Sequence, residues 1–109
     1  MKRASIVVSA NLTNDRLFDL SNPITNRDGC LKPFSLLRDL LAQSNISLAT
    51  HDLHAPKDSD LVIYCDMPTV GSMVAERAKK ILLLFETEII RPDNWLPGAH
   101  DPFDIVFTW

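Results

Sequence analysis

Short apolar runs alternate with polar or amphipathic stretches along the chain, and this alternation predicts an α/β fold. The runs at residues 6–8 and 61–64 lack a two-residue period, which is typical of strands buried on both faces of a parallel sheet. The runs at residues 81–85 and 105–107 are predicted as two further buried strands. Residues 46–50 alternate apolar and polar side chains, so they are predicted as a half-buried strand at the edge of the sheet.

Two amphipathic stretches are predicted as helices. The first covers residues 33–44, with apolar side chains at helical spacing, and Asn45 is suited to end it in the left-handed conformation. The second is short and covers residues 71–80, where a basic last turn complements the helix dipole. Residues 11–30 are polar and are predicted as a long loop with one turn of helix at residues 16–20. Loops of this length are uncommon unless they are functional.

The order of these elements implies a Rossmann-like, mostly parallel sheet of about five strands with crossover connections. Two helices do not suffice to cover both faces of such a sheet. Phe107 and Trp109 therefore belong to an apolar face that we expect a following segment or a second copy of the chain to cover. The second of these alternatives would make the protein a homodimer.

Composition and charge narrow the classes of function. The 109 residues are 46% hydrophobic and 23% charged, as in a single soluble globular domain. The formal net charge of -3 disfavours nonspecific binding to nucleic acid or anionic membranes, because both need clustered Lys and Arg. No apolar run approaches the roughly 20 residues of a membrane span, so no transmembrane segment is predicted. Cys30 and Cys65 lack metal-ligand spacing and are predicted as reduced thiols, which favours a cytoplasmic location.

Several common site motifs are missing from the sequence. The three glycines are not spaced as a phosphate-binding loop, and neither HExxH nor GxSxG occurs. His51 and His54 lie near aspartates, but a solvated loop explains this spacing better than a metal site, so no bound metal is predicted. Asp66, at the end of the third strand, suggests a phospho-acceptor of the receiver type. The acidic pair and the lysine that such a site needs are absent at the matching strand ends.

Glu86 and Glu88 follow the fourth predicted strand, at the edge where parallel strands present their carboxyl ends. Ligands bind at this edge in open α/β sheets. Partial desolvation of Glu86 beside an apolar strand would make its carboxylate basic enough to accept a proton from a sugar hydroxyl at neutral pH. In an extended chain, the two carboxylates would also lie on the same side. Two solvated loop acids explain the same pattern equally well, so the pattern alone leaves both interpretations open.

Four short segments in the second half of the chain carry a family resemblance. They are Ser59-Asp60-Leu61-Val62, Phe85-Glu86-Thr87-Glu88, Pro92-Asp93-Asn94 and the sequence FDIVFT at residues 103–108. Together they resemble the acceptor-side domain of the α1,3/1,4-fucosyltransferases. The similarity spans residues 58–109 and is weaker upstream.

The resemblance implies the GT-B architecture, in which two Rossmann-like domains face each other across a cleft and this chain forms the acceptor-binding half. The donor GDP-fucose would bind to a second domain that these residues do not include, so we expect no cofactor in this chain and no transferase activity from it alone. Glu86 is then the expected general base, deprotonating the hydroxyl of a glycan acceptor in an inverting, metal-independent transfer of fucose. Whether Glu86 or Glu88 takes this role stays open. The expected acceptor-binding residues are Glu88, Asn11, Asp66, Asn94 and His100.

Two other functions remain as alternatives. A non-catalytic Rossmann-like module would self-associate through the uncovered sheet face and its terminal aromatic residues. A regulatory domain that binds a small ligand is suggested by the polar loop at residues 11–30.

Overall fold

The computed structural model describes residues 1–68 and 77–108, and these residues form five strands and one α-helix. The strands are β1 (Lys2–Val7), β2 (Ile46–Thr50), β3 (Leu61–Cys65), β4 (Lys79–Leu83) and β5 (Ile105–Phe107). The helix α1 (Lys32–Gln43) lies between β1 and β2 in the chain. Short 3-10 turns occur at Ala10–Leu12, Arg16–Phe18, Arg27–Gly29, Pro56–Asp58 and Pro92–Trp95.

All neighbouring strands pair in parallel, and their order across the sheet is β2-β1-β3-β4-β5. The parallel α/β sheet predicted from the sequence is therefore confirmed. A row of four isoleucines, Ile6, Ile63, Ile81 and Ile105, crosses the sheet in register. The chain leaves β1 toward β2 on one side and returns to β3 on the other. The gap between the ends of β1 and β3 is thus the switch point of a doubly wound sheet, where such folds bind ligands.

Two apolar clusters pack on opposite faces of the sheet, because successive side chains of a strand point to opposite sides. The cluster under α1 contains Ile6 and Ile63, together with Leu17 and Phe18 from the long β1–α1 connection. The cluster on the other face contains Val62, Tyr64, Leu82, Leu84 and Phe103. The β-branched and aromatic side chains predicted to form buried strands thus supply both halves of the core.

Several predicted boundaries agree with the structure. The helix predicted at residues 33–44 is α1, and Asn45 follows it with φ 63°, as its left-handed assignment requires. The segment Ile46–Thr50 is an edge strand, as predicted. The helical turn predicted at residues 16–20 is the 3-10 turn Arg16–Phe18, which buries Leu17 and Phe18.

Other predictions were wrong in detail. The fourth strand begins at Lys79 and ends at Leu83, two residues earlier than predicted, because Lys79 and Lys80 pair with Leu61 and Val62. Those two lysines therefore belong to β4 and not to the second helix predicted at residues 71–80, most of which lies outside the described residues. The strand β5 is an edge strand with exposed side chains, whereas its apolar sequence predicted a buried one.

The sheet carries exposed apolar side chains at its β5 edge. Phe107 is 55% exposed and Ile105 41% exposed, and Phe85, just past β4, is 49% exposed. Trp109, which the sequence assigned to the same apolar face, lies outside the described residues. Among residues 1–68 and 77–108, none of the helices has the length and apolar character needed to cross a lipid bilayer.

Candidate functional site

A cleft of about 1020 Å³ opens at the carboxyl edge of the sheet, around the switch point between β1 and β3. Because all five strands are parallel, the segments that follow them meet at this edge. The described residues that line the cleft include the following ones at the ends of four strands: Val8 and Ser9 after β1, His51 after β2, Asp66 and Met67 after β3, and Phe85 and Glu86 after β4. The cleft therefore has the position at which open α/β sheets bind ligands.

Asp66 is the centre of the hydrogen-bond network at this edge. Its backbone is left-handed, with φ 62°, a conformation that Asp and Asn adopt more readily than most residues. The carboxylate Oδ1 accepts hydrogen bonds from the backbone N–H of Phe85 (2.8 Å) and of Glu86 (3.2 Å), and from Nδ2 of Asn94 (2.9 Å). The backbone N–H of Asp66 donates to the carbonyl of Leu83 (2.8 Å). Asp66 thus ties the end of β3 to the segment that leaves β4.

Asn94 completes this network from the 3-10 turn Pro92–Trp95. Its side chain is fully buried, with 0% exposure. The amide Oδ1 accepts from the backbone N–H of Met67 (2.8 Å), while Nδ2 donates to Asp66 and to the carbonyl of Glu86 (3.3 Å). An Asn in this position has used both amide hydrogens and one oxygen lone pair. The Asn94 amide is therefore committed within the protein, and its expected contact with an acceptor stays a prediction.

Glu86 lies at the rim of the cleft, three residues after the end of β4 at Leu83. Its backbone is held from both sides, because the N–H donates to Asp66 and the carbonyl accepts from Asn94 and from Nε1 of Trp95 (3.1 Å). The residue is exposed to solvent, so the partial desolvation expected from the sequence is not present here. The structure thus combines a solvated carboxylate with an anchored backbone.

Glu88 does not continue an extended chain beside Glu86. The chain turns here, with the backbone N–H groups of Ile90 and Arg91 donating to the carbonyl of Thr87 at 3.1 and 2.8 Å. Glu88 is exposed and is not among the described residues that line the cleft. The extended arrangement predicted from the Glu86-Thr87-Glu88 alternation is therefore wrong, because the turn intervenes.

The other two residues expected to bind an acceptor also lie away from the cleft lining. His100 donates from Nε2 to the backbone carbonyl of Asn94, and its ring meets the ring of Trp95 edge to face at 5.8 Å. It supports the loop that carries Asn94. Asn11 is exposed in the first 3-10 turn, where its Oδ1 accepts from the hydroxyl of Ser9 (2.8 Å). Of the expected acceptor-binding residues, only Asp66 lines the cleft, together with the expected base Glu86.

Arg91 is a cleft residue that the sequence analysis missed. Its guanidinium donates to the carbonyl of Met67 (2.7 Å) and forms a two-point ion pair with the Asp93 carboxylate (2.9 and 2.8 Å). The hydrogen bond with Asp93 raises the pKa of Arg91, and the same bond lowers the pKa of Asp93. The Arg-x-Asp spacing just before Asn94 was the available signal. As a partly exposed pair it adds little stability, but it ties the turn to the end of β3.

Tyr64 is a second residue that the sequence did not single out. It is 1% exposed, lines the cleft, and packs edge to face on Phe103 with ring centres 5.6 Å apart. Its hydroxyl has no hydrogen-bond partner among the described residues, and burial raises its pKa. A buried hydroxyl without a partner is uncommon in folded proteins, and it costs free energy of folding.

The histidines after β2 are held by the backbone. Nδ1 of His51 accepts from the backbone N–H of Val8 (3.3 Å), so the proton of the neutral ring is on Nε2. Nδ1 of His54 donates to the carbonyl of Ala4 (3.1 Å). Within the described part of the chain, no three His, Cys, Asp or Glu side chains come together as metal ligands would. Cys30 and Cys65 are free thiols, and burial, with a smaller effect from the Asp66 charge, raises the pKa of Cys65 to about 12.

The fold is that of a doubly wound α/β domain with a cleft at its switch point. Comparisons with protein-family models, with curated proteins and with solved structures found no match to the chain. The geometry of the cleft and the family resemblance of the segments around it are therefore the basis for inferring a function.

Proposed function

We propose that the chain is the acceptor-side domain of a fucosyltransferase-like glycosyltransferase, with Glu86 as the general base. In this reaction the Glu86 carboxylate takes the proton of a glycan hydroxyl. The acceptor oxygen forms a bond to the anomeric carbon of fucose from the opposite face, and the bond to the GDP oxygen breaks. The negative charge leaves with GDP, which a separate donor-binding domain holds.

The observation that carries this proposal is the place and anchoring of Glu86. A base must lie within hydrogen-bond reach of the proton that it removes, so its backbone has to be fixed relative to the ligand cleft. Glu86 lies on the cleft rim, and three hydrogen bonds hold its backbone N–H and carbonyl. Its neighbour Glu88 is in an exposed turn and lacks both features. This difference favours Glu86 over Glu88 as the base.

Exposure of the carboxylate is compatible with this role. The acceptor-side and donor-side domains of a GT-B enzyme face each other, so a residue on the rim of one domain lies in the cleft between the two. Approach of the donor-binding domain and the acceptor would displace water from Glu86, and electrostatic interactions strengthen when water leaves a site. The desolvation predicted from the sequence would then belong to the assembled enzyme.

The test measures fucose transfer from GDP-fucose by the chain together with a donor-binding domain, supplied on the same polypeptide or in trans. Glu86→Gln keeps the size and removes the base, and we expect it to lower kcat by a factor of about 10² to 10⁴. Glu88→Gln is the matched control and should retain more than about half of the activity. Full activity of the Glu86→Gln variant would remove Glu86 from the mechanism.

Self-association is a second candidate, supported by the exposed apolar side chains at the β5 edge. Phe107 and Ile105 are more than two fifths exposed, and β5 is an edge strand in the described part of the chain; such an edge is a site for pairing with another chain. Sedimentation velocity of the 109-residue chain tests this alternative, with Phe107→Lys as the variant. A dimer that the Phe107→Lys change dissociates would support a self-associating module, and a monomer at all concentrations would exclude it.

The two thiols support a proposal for the cellular location. Both cysteines are free, and a chain with unpaired thiols suits a reducing compartment. We therefore propose a cytoplasmic location, which fractionation of cells that produce the native protein would test.

A further inference from the structure

We propose that Asp66 and Asn94 are positioning residues, which hold the backbone of Glu86 so that its carboxylate faces the acceptor. This inference rests on the proposed function of Glu86. It assigns to the two residues a role in the reaction in place of the ligand contacts expected from the sequence. Neither of them touches the reacting atoms in this arrangement, since each acts through the main chain of Glu86.

The sheet itself does not hold Glu86. The parallel ladder of β4 ends at Leu83, and the last main-chain bond to β5 runs from the N–H of Leu84 to the carbonyl of Phe107 (3.0 Å). The next two N–H groups, of Phe85 and Glu86, find no further strand to pair with. Both donate to the same carboxylate oxygen of Asp66. The side chain of Asp66, the residue after β3, therefore holds two residues of the chain beyond the end of the sheet ladder.

The backbone conformation of Asp66 makes these two hydrogen bonds possible. Asp66 has φ 62°, and this left-handed backbone lets the chain turn at the end of β3 while its own N–H still bonds to Leu83 of β4. This left-handed conformation costs a residue with a Cβ roughly 1–2 kcal/mol, and Asp and Asn adopt it more readily than most other residues. The position therefore needs a residue that tolerates positive φ and that also carries a side-chain oxygen.

Asn94 holds Glu86 from the other side, through the Glu86 carbonyl. Its Nδ2 bridges the Asp66 carboxylate and the Glu86 carbonyl, and its Oδ1 accepts from Met67, the residue after Asp66. The N–H of Glu86 is therefore held by the partly buried Asp66, and its carbonyl by the fully buried Asn94. With the backbone fixed, the Glu86 side chain is limited to a few rotamers. Misplacement of a catalytic group by about 1 Å can lower a rate by about 10²-fold.

The experiment compares two substitutions of Asp66 that differ in the side-chain oxygen. Asp66→Asn and Asp66→Gly both tolerate positive φ, but only Asn keeps an oxygen that can accept from Phe85 and Glu86. Amide hydrogen exchange of the 109-residue chain, followed residue by residue by NMR, gives the first readout. In Asp66→Gly we expect the amides of Phe85 and Glu86 to exchange at least about tenfold faster than in Asp66→Asn. The amide of Ile63 in β3 serves as the internal control and should change equally in both variants.

Kinetics of the chain with a donor-binding domain and GDP-fucose give the second readout. Asp66→Gly should lower kcat on the order of 10²-fold with little change in acceptor KM, whereas Asp66→Asn should stay within about threefold of the wild type. A milder variant, Trp95→Phe, removes the indole N–H that donates to the Glu86 carbonyl, keeps an aromatic ring, and should lower kcat less than Asp66→Gly. It also tests the proposal should Asp66→Gly fail to fold.

The outcomes separate this inference from the proposed function. Full activity of Glu86→Gln would overturn both. If Glu86→Gln is inactive while Asp66→Gly keeps the wild-type kcat, Glu86 is the base and the positioning role is refuted. Equal exchange of the Phe85 and Glu86 amides in Asp66→Gly and Asp66→Asn would refute the clamp itself, whatever the activity. A fall in kcat that is specific to the Gly variant, accompanied by faster exchange, would support it.

Discussion

Replacing Asn94 by aspartate changes one atom of the side chain and tests the hydrogen-bond network directly. In the native protein, Nδ2 of Asn94 lies 2.9 Å from Oδ1 of Asp66 and donates to it. Asn94→Asp would place a second carboxylate oxygen at that position, in a side chain with 0% exposure. The Met67 N–H keeps its acceptor, because the other oxygen is unchanged in place. The new carboxyl group either takes up a proton and becomes neutral, or stays charged and repels the Asp66 carboxylate.

The magnitude of both options follows from simple electrostatics. Two unit charges about 4 Å apart repel by about 4 kcal/mol at an effective dielectric constant near 20. Protonating the introduced carboxyl, whose ordinary pKa is about 3.9, costs about 4 kcal/mol at pH 7 and about 1.5 kcal/mol at pH 5. Its pKa is raised in the folded state, so the destabilisation is small below about pH 4 and grows as the pH rises toward the raised pKa. We therefore expect Asn94→Asp to lose about 4 kcal/mol at pH 7 and less than half of that at pH 5.

Urea unfolding followed by tryptophan fluorescence at pH 5 and pH 7 measures this difference, with Trp95 next to the substituted site. Asn11→Asp is the matched control, since Asn11 is exposed and keeps its acceptor oxygen for Ser9. It adds the same charge and should change the free energy of unfolding by less than about 0.5 kcal/mol at either pH. A loss below about 1 kcal/mol for Asn94→Asp at pH 7, or a larger loss at pH 5 than at pH 7, would show that Asn94 does not donate to Asp66.

Three further changes test other features of the structure. Tyr64→Phe removes a buried hydroxyl without a described partner, so we expect the free energy of unfolding to rise by about 1 kcal/mol, and a fall would reveal a bonding partner. Because burial and Asp66 raise the pKa of Cys65 to about 12, iodoacetamide at pH 8 should modify the exposed Cys30 well before Cys65, as mass spectrometry of tryptic peptides would show. Asn45→Ala should cost about 1 kcal/mol of stability because φ is 63° there, while Asn45→Gly should change it little; equal losses would contradict this explanation.

The sheet was predictable because strands that are buried on both faces appear in the sequence as short runs of apolar residues. Leu61, Val62, Ile63 and Tyr64 form an unbroken apolar run, and a strand with both faces covered needs no polar positions. The start of β4 was not predictable in the same way. Lys79 and Lys80 resemble the basic end of a helix, but in the sheet they pair with β3 and their long side chains can reach solvent.

The candidate site was predictable only in part. A carboxylate directly after a parallel strand falls at the carboxyl edge by topology alone, which is why Glu86 and Asp66 both line the cleft. What each one does depends on neighbours that are remote in sequence. One carboxylate oxygen of Asp66 accepts hydrogen bonds from three donors that lie 19 to 28 residues away in the sequence. Asn94 is buried by contacts that the local sequence pattern does not predict.

The sequence alone therefore determined the order of the elements, the parallel sheet and the edge at which its acidic residues gather, because hydrophobic periodicity and strand polarity are local properties. Tertiary structure alone decided which polar residues face the cleft and which support the main chain. Hydrogen-bond partners are chosen by distance in space. The Asp–Asn pair could be recognised only once the ends of β3 and β4 and the turn Pro92–Trp95 were brought together.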